Sequence, residues 1–137
     1  MIQYLVDTSA AARYLHKASL YPAWIGPIRS GLVGMCQVTR LEMGKAVRRA
    51  GERDRYFRNL EEIFPPVEMH KDAYDEAELL QLKLTDSAAH ESASPVDLLL
   101  GANARLMGMS VLHVDKDFIT LDRLCGLPQK RMDTTTP

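Results

Sequence analysis

Residues 2–7 read IQYLVD. The run from Ile2 to Val6 is short, mostly apolar and biased toward β-branched and aromatic side chains, so it reads as a buried strand that stops at Asp7. A charge at the end of a buried strand needs a partner. The same ending recurs at residues 110–115, SVLHVD, with Asp117 two positions further on. Between the two runs, strand patterns alternate with helical ones. Such alternation implies a parallel sheet wrapped by helices, the α/β class. Working residues in these sheets gather beyond the carboxyl ends of the strands.

Outward from Asp7, Ser9 is placed to cap a helix over Ala10–His16, and Pro22 opens a second helix that stops at Gly31. Leu32–Val38 (LVGMCQV) reads as a second buried strand. Thr39, with Glu42 three residues on, has the form of a capping box for the next helix. The span Arg53–Phe64 puts Tyr56, Phe57, Leu60, Ile63 and Phe64 on one broad helical face, and Pro65-Pro66 ends it. Val67–Met69 is a brief strand, Lys71–Leu84 is helical and His90–Ala93 is loop. Ser94 and Pro95 then form a cap and a first helical position, and that helix ends near Gly108. After the strand Ser110–Val114, a short helix over Ile119–Leu124 and an edge strand over Gln129–Met132 complete a sheet of four to five strands. One domain is expected over residues 1–132, with a loose tail over 133–137.

The net charge is −1, from 17 basic and 18 acidic residues. That balance argues against a protein that coats nucleic acid non-specifically. It leaves room for a nuclease, because site acids and contact bases cancel in the sum. Cys36 and Cys125 lie far apart in no metal-binding spacing and read as reduced, buried thiols that suit a cytoplasm. The N-terminal stretch has neither the form of a signal peptide nor that of a membrane span.

Asp7 and Asp115 both follow strands. Asp117 lies close behind, while Glu42 and Asp97 sit in first turns of helices. If the two strands are adjacent and parallel, these five acids converge on one edge. Clustered carboxylates resist ionising together, and a hard divalent cation removes the conflict. Oxygen-only ligation fits Mg²⁺ or Mn²⁺. The chemistry this suggests is metal-assisted hydrolysis of a phosphodiester by in-line attack of water. Each acid also has a local reading: a cap for Glu42, a helix-dipole partner for Asp97, turn residues for Asp115 and Asp117. A receiver-like phosphoacceptor domain is an alternative, although Val67–Met69 leads to no matching aspartate. A non-catalytic binding module is another.

The chain resembles PIN-domain proteins, and more closely the ribonuclease toxins of bacterial VapB–VapC toxin–antitoxin pairs. The resemblance rests on LVDTSA at Leu5–Ala10, TRLEMG at Thr39–Gly44, SPVDLLLGANA at Ser94–Ala104 and LHVDKDF at Leu112–Phe118. It implies a PIN-like α/β/α sandwich with Asp7, Glu42, Asp97 and Asp115 around Mg²⁺ or Mn²⁺, Asp117 as a fifth acid, and Ser9 as a hydroxyl that fixes the first aspartate or a water. It also implies a homodimer, a VapB-type antitoxin partner, and structured RNA as substrate, chiefly transfer RNA and sometimes ribosomal RNA. One departure is His113, where many relatives carry Thr. This residue either tunes a neighbouring acid or packs in the core, and packing is the favoured reading.

Lys45, Arg48, Arg49, Arg53, Arg55 and Arg58 crowd the segment after Glu42. They form either a phosphate-positioning stripe or a solvated face held by local ion pairs. Arg13, Lys17 and Lys116 lie nearer the expected edge and are further candidates for backbone contacts to RNA. Tyr21 and Trp24 read as core.

Overall fold

The computed structural model describes residues 1–137. Five parallel strands form one sheet: β1 (Tyr4–Val6), β2 (Val33–Cys36), β3 (Pro66–Val67), β4 (Ser110–His113) and β5 (Gln129–Arg131), in the order β3-β2-β1-β4-β5. The strand that decides the fold is therefore the central one. Leu5 pairs with Gly34 on one side and with Val111 on the other. A receiver-like sheet would run 2-1-3-4-5, so this strand order belongs to a different topology.

Seven helices cover the sheet: α1 (Thr8–His16), α2 (Pro22–Arg29), α3 (Gln37–Met43), α4 (Arg53–Ile63), α5 (Ala73–Asp86), α6 (Pro95–Met107) and α7 (Lys116–Cys125). Side chains alternate across a strand, so β1 sends Tyr4 and Val6 to one face and Leu5 to the other. The first face packs with Tyr14, Trp24, Phe57 and Phe64 from α1, α2 and the α4 region. The second packs with Leu80, Leu98, Phe118 and Leu121 from α5, α6 and α7. Burial on both faces explains why the strands read as continuous apolar runs. The result is the α/β/α sandwich the sequence implied. No helix is long and apolar enough to cross a membrane.

Several boundaries move, for local reasons. Helix α1 begins at Thr8, because Asp7 itself is the cap: its side chain accepts the Ala10 N–H. Ser9 thus lies inside the first turn. Strand β2 stops at Cys36, and α3 starts at once with Cys36 in the cap position and no side-chain cap bond. Thr39 is then buried against the Cys36 sulfur at 3.7 Å, so the expected Thr39–Glu42 capping box does not form. Strand β3 is only Pro66–Val67; past it, Asn103 draws the chain away from the sheet, accepting from the His70 N–H at 2.6 Å and donating to the Glu68 carbonyl at 3.1 Å. Helix α7 starts three residues earlier than expected because Asp115 caps it. Tyr21 and Trp24 are buried, and the exposed end of the chain is tied back where the Trp24 indole N–H donates to the Thr135 carbonyl at 3.0 Å.

Gly34 in β2 leaves no room for a side chain. A Cβ there would lie 2.7 Å from Val67 Cγ2 and 2.9 Å from the Pro65 carbonyl oxygen. The second contact is backbone and cannot rotate away. Gly34→Ala is expected to lower stability by about 1–3 kcal/mol, read by urea or thermal unfolding, through overpacking of β2 against β3. An unchanged midpoint would contradict this packing.

Candidate active site

Strands β1 and β4 are direct neighbours, so Asp7 and Asp115 project from adjacent strand ends. Each also caps the helix that follows, α1 and α7 respectively. Asp7 is buried. Its two carboxylate oxygens each lie 2.8 Å from Ser9 Oγ, and Oδ1 accepts the Ala10 N–H at 2.8 Å. Ser9 Oγ in turn accepts the Val114 N–H at 3.3 Å, which ties α1 to the end of β4. Asp115 Oδ1 accepts the Asp117 N–H at 3.0 Å.

Asp97 arrives from the other layer. It completes a capping box with Ser94: the Asp97 N–H donates to Ser94 Oγ at 3.1 Å, and the Ser94 N–H donates to Asp97 Oδ2 at 3.4 Å. The start of α6 is thereby fixed, and the carboxylate faces Asp115. One ligand oxygen from each of Asp97, Asp115 and Asp117 falls within 4.8 Å of the others. Asp7 stands outside this tightest group but within range of the charges of Asp97 and Asp115.

Glu42 joins the edge by a route the sequence reading missed. Thr8 Oγ1 donates to Glu42 Oε1 at 2.6 Å, so the carboxylate of α3 is anchored to the first residue of α1, directly after Asp7. One Glu42 oxygen is engaged and the other is left for a water or an ion. The signal for Thr8 was a hydroxyl immediately behind a strand-end acid, but its partner lies 34 residues away.

The electrostatics carry the mark of crowding. Asp7 is pushed up to about 7, first by burial and then by the charges of Asp97 and Asp115, against the lowering effect of its bonds from Ala10 and Ser9. Asp97 is pushed up to about 6, again by burial first, then by Asp115 and Asp117. Asp117 is also raised, by burial and then by the charge of Asp115. Carboxylates that cannot all ionise together need a cation. The available donors are carboxylate oxygens, with no cysteine or histidine in the cluster. Such a set suits a hard divalent ion.

The candidate phosphate-contacting bases are spread over several elements. Arg13 is on α1, and Lys116 opens α7 between Asp115 and Asp117. Lys45 lies in a short helical turn over Gly44–Ala46, and Arg48 and Arg49 follow it. None of these five takes part in an ion pair; the pairs with full-time charges are Arg40–Glu61, Arg105–Glu76 and Arg131–Asp133. The expectation of local ion pairs along residues 45–58 is therefore not met. Arg53 instead lies over the Phe57 ring at 4.5 Å, with Arg40 at 5.1 Å. That stack borders a groove of about 450 Å³ containing Val38, Leu41, Tyr74 and Leu99 and none of the five acids.

A family model described as PIN domain matches residues 4–124. Among curated proteins, the chain is similar to ribonuclease VapC2 of Mycobacterium tuberculosis (strain CDC 1551 / Oshkosh), at 35% identity over 136 residues, covering 98% of this chain and 96% of the relative. Among solved structures, it is similar to a chain of DNA-bound VapBC from Salmonella typhimurium, with TM-score 0.76 and 12% identity over 95% of this chain and 98% of that one. VapBC-1 from nontypeable Haemophilus influenzae matches at TM-score 0.76 and 14% identity, over 96% and 98% of the two chains.

Two outcomes test this geometry. Because folded Asp7 holds a proton between the ordinary 3.8 and about 7 that the unfolded chain has released, metal-free stability falls as pH rises through that window. Asp7→Asn removes the titrating group, so the melting temperature of the metal-free variant relative to the wild type should be higher at pH 8 than at pH 5; each 1 kcal/mol relieved is worth roughly 4 °C. Equal midpoints at both pH values would refute the charge conflict. Separately, Thr8→Val should weaken Mn²⁺ binding about tenfold while Thr8→Ser retains it, as expected for a hydroxyl that orients a ligand. Equal affinities in both variants would remove Thr8 from the site.

Proposed function

The chain belongs to the PIN-domain family, among the VapC ribonucleases, and from that premise we propose that it is a divalent-metal-dependent endoribonuclease. The observation that carries the reading is the meeting of five acids from four segments at one sheet edge, with Asp97, Asp115 and Asp117 in mutual reach. Mg²⁺ or Mn²⁺ bound there would supply charge neutralisation for the phosphate and a more acidic water. Asp7, Asp97 and Asp115 are the ligands we assign, with Asp117 in support. Glu42 holds one oxygen on Thr8 and uses the other to accept a proton from the attacking water. Ser9 keeps Asp7 oriented by bonding both its oxygens.

The substrate we assign is structured RNA, transfer RNA before ribosomal RNA, so that cleavage inhibits translation. The unpaired cations Arg13, Lys45, Arg48, Arg49 and Lys116 support it as contacts to the phosphate backbone. The partner we assign is a VapB-type antitoxin, in keeping with the VapBC complexes among the structural relatives. An Arg or Lys from that partner would neutralise the acid cluster in place of the cation. A second copy of the chain would cover the groove where Leu41 and Tyr74 stand exposed.

The test is cleavage of total RNA with end mapping, in Mn²⁺ and in excess chelator. The wild type should cut at discrete positions, and both chelator and Asp7→Asn should lower the rate at least about a thousandfold, in line with loss of a group on which the chemical step depends. Full activity in chelator would end the metal mechanism. A variant as active as the wild type would remove Asp7 from it.

A further inference from the structure

His113 is fully buried in β4, two residues before Asp115, and no step of the proposed reaction uses it. Both of its ring nitrogens are engaged. Nδ1 lies 3.0 Å from the Asp115 N–H, and Nε2 lies 2.6 Å from Gln129 Oε1. The Gln129 amide NH₂ continues the chain to Asp122 Oδ2 at 3.0 Å. The direction of every bond follows from the chemistry of the ends. A backbone N–H only donates, so Nδ1 must carry no proton. The single proton of the neutral ring is then on Nε2, where it donates to the Gln129 carbonyl. That orientation of the amide leaves its NH₂ for the Asp122 carboxylate, which only accepts. Phe118 closes one side of the ring, with centroids 5.2 Å apart.

From this chain of bonds we infer that His113 is a positioning residue for the metal centre: the relay Asp122–Gln129–His113 fixes the tautomer whose Nδ1 holds the backbone of Asp115. Asp115 must satisfy three demands at once. It caps α7 through Oδ1, stands at the sheet edge beside Asp7, and brings a carboxylate oxygen within 4.8 Å of Asp97 and Asp117. The bond from its own N–H removes the freedom by which those demands would drift apart. The relay anchors the site from the edge strand β5 and the middle of α7, both outside the acid cluster. Any buried histidine must have its ring nitrogens satisfied; what sets His113 apart is that one of them holds the backbone N–H of a site acid, Asp115, while the other is held from β5. The inference rests on the metal reading above and adds the residues that hold its ligand in place.

The test compares His113→Asn with His113→Leu. Asn sets its Oδ1 where Nδ1 sits and can accept the same N–H, whereas Leu has similar bulk and no acceptor. Mn²⁺ affinity of the RNA-free protein is measured by calorimetry, and the ring nitrogens of the wild type are observed by long-range proton–nitrogen NMR. The expected result is a proton on Nε2 alone, a fall in Mn²⁺ affinity of about tenfold in the Leu variant, and a change within about twofold in the Asn variant. A proton on Nδ1 overturns the inference, as does an equal loss in both variants, which would mean packing alone, or an unchanged affinity in both. Should His113→Leu fail to fold, Gln129→Leu at the half-buried end of the relay serves instead: mixed tautomers and weaker Mn²⁺ binding support the relay, and a wild-type spectrum with wild-type affinity refutes it. A wild type that binds no Mn²⁺ at all defeats the metal reading itself, and the role of His113 falls with it. That result is distinct from a wild type that binds while the variants are unaffected.

Discussion

The pairing of β1 with β4 is the constraint on which the rest of the structure depends. Side-by-side parallel strands of nearly equal length must end at the same edge. Asp7 directly follows β1, and Asp115 follows β4 after Val114, so the two acids lie at one edge and the charge of Asp115 reaches Asp7. Burial raises Asp7, and the charges of Asp97 and Asp115 raise it further. Every other feature of the edge answers this conflict. Ser9 and the Ala10 N–H hold one carboxylate, the Asp117 N–H holds the other, and the capping box of α6 delivers a third acid in a fixed orientation.

Capping and chemistry are often posed as competing explanations for an acid in a first turn. Here they coincide for three of the acids. Asp7 and Asp115 are N-caps, and Asp97 is the third position of a capping box. A cap fixes one oxygen to backbone donors and leaves the carboxylate at the positive end of a helix. The other lone pairs then point outward in a set direction, which is what preorganised ligation requires. Glu42 is the exception. Its cap reading fails because α3 starts earlier than its sequence suggests, and a hydroxyl from another helix orients it instead.

The legible part of this molecule was the part written in local patterns. Strand ends, the Ser94-Pro95 helix start and the apolar faces depend on neighbours within a turn or two, so the sandwich and the positions of Asp7, Asp97 and Asp115 could be read directly. The start of α3 was not legible, because Cys36 caps it without any side-chain bond and leaves no signature. The Thr8–Glu42 bond and the His113–Gln129–Asp122 relay were invisible for a different reason. Each joins elements distant in sequence, and only the strand order makes them neighbours. The bond from Trp24 to Thr135 belongs to the same class, spanning 111 residues.

The edge also illustrates why a site can oppose the fold that carries it. Burying Asp7 beside other acids weakens the metal-free protein wherever that residue is forced to ionise, and an apolar or neutral residue would serve the core better. The sequence instead surrounds the conflict with rigid support: central strands β1 and β2 buried throughout, helix caps with matched donors, and a glycine at 34 that lets β2 and β3 close on one another. That rigidity denies the carboxylates the simplest relief, which is to swing apart into water. What remains is to bind a proton or to bind a cation. Near neutral pH, with Asp7 at about 7 and Asp97 at about 6, the proton is weakly held and the cation has the advantage. On the proposed reading, the same repulsion that costs the fold stability would supply its affinity for a cation. An antitoxin that offers an arginine or lysine to this edge would exploit the same deficit, so metal and antitoxin should compete for one electrostatic vacancy rather than act at separate sites.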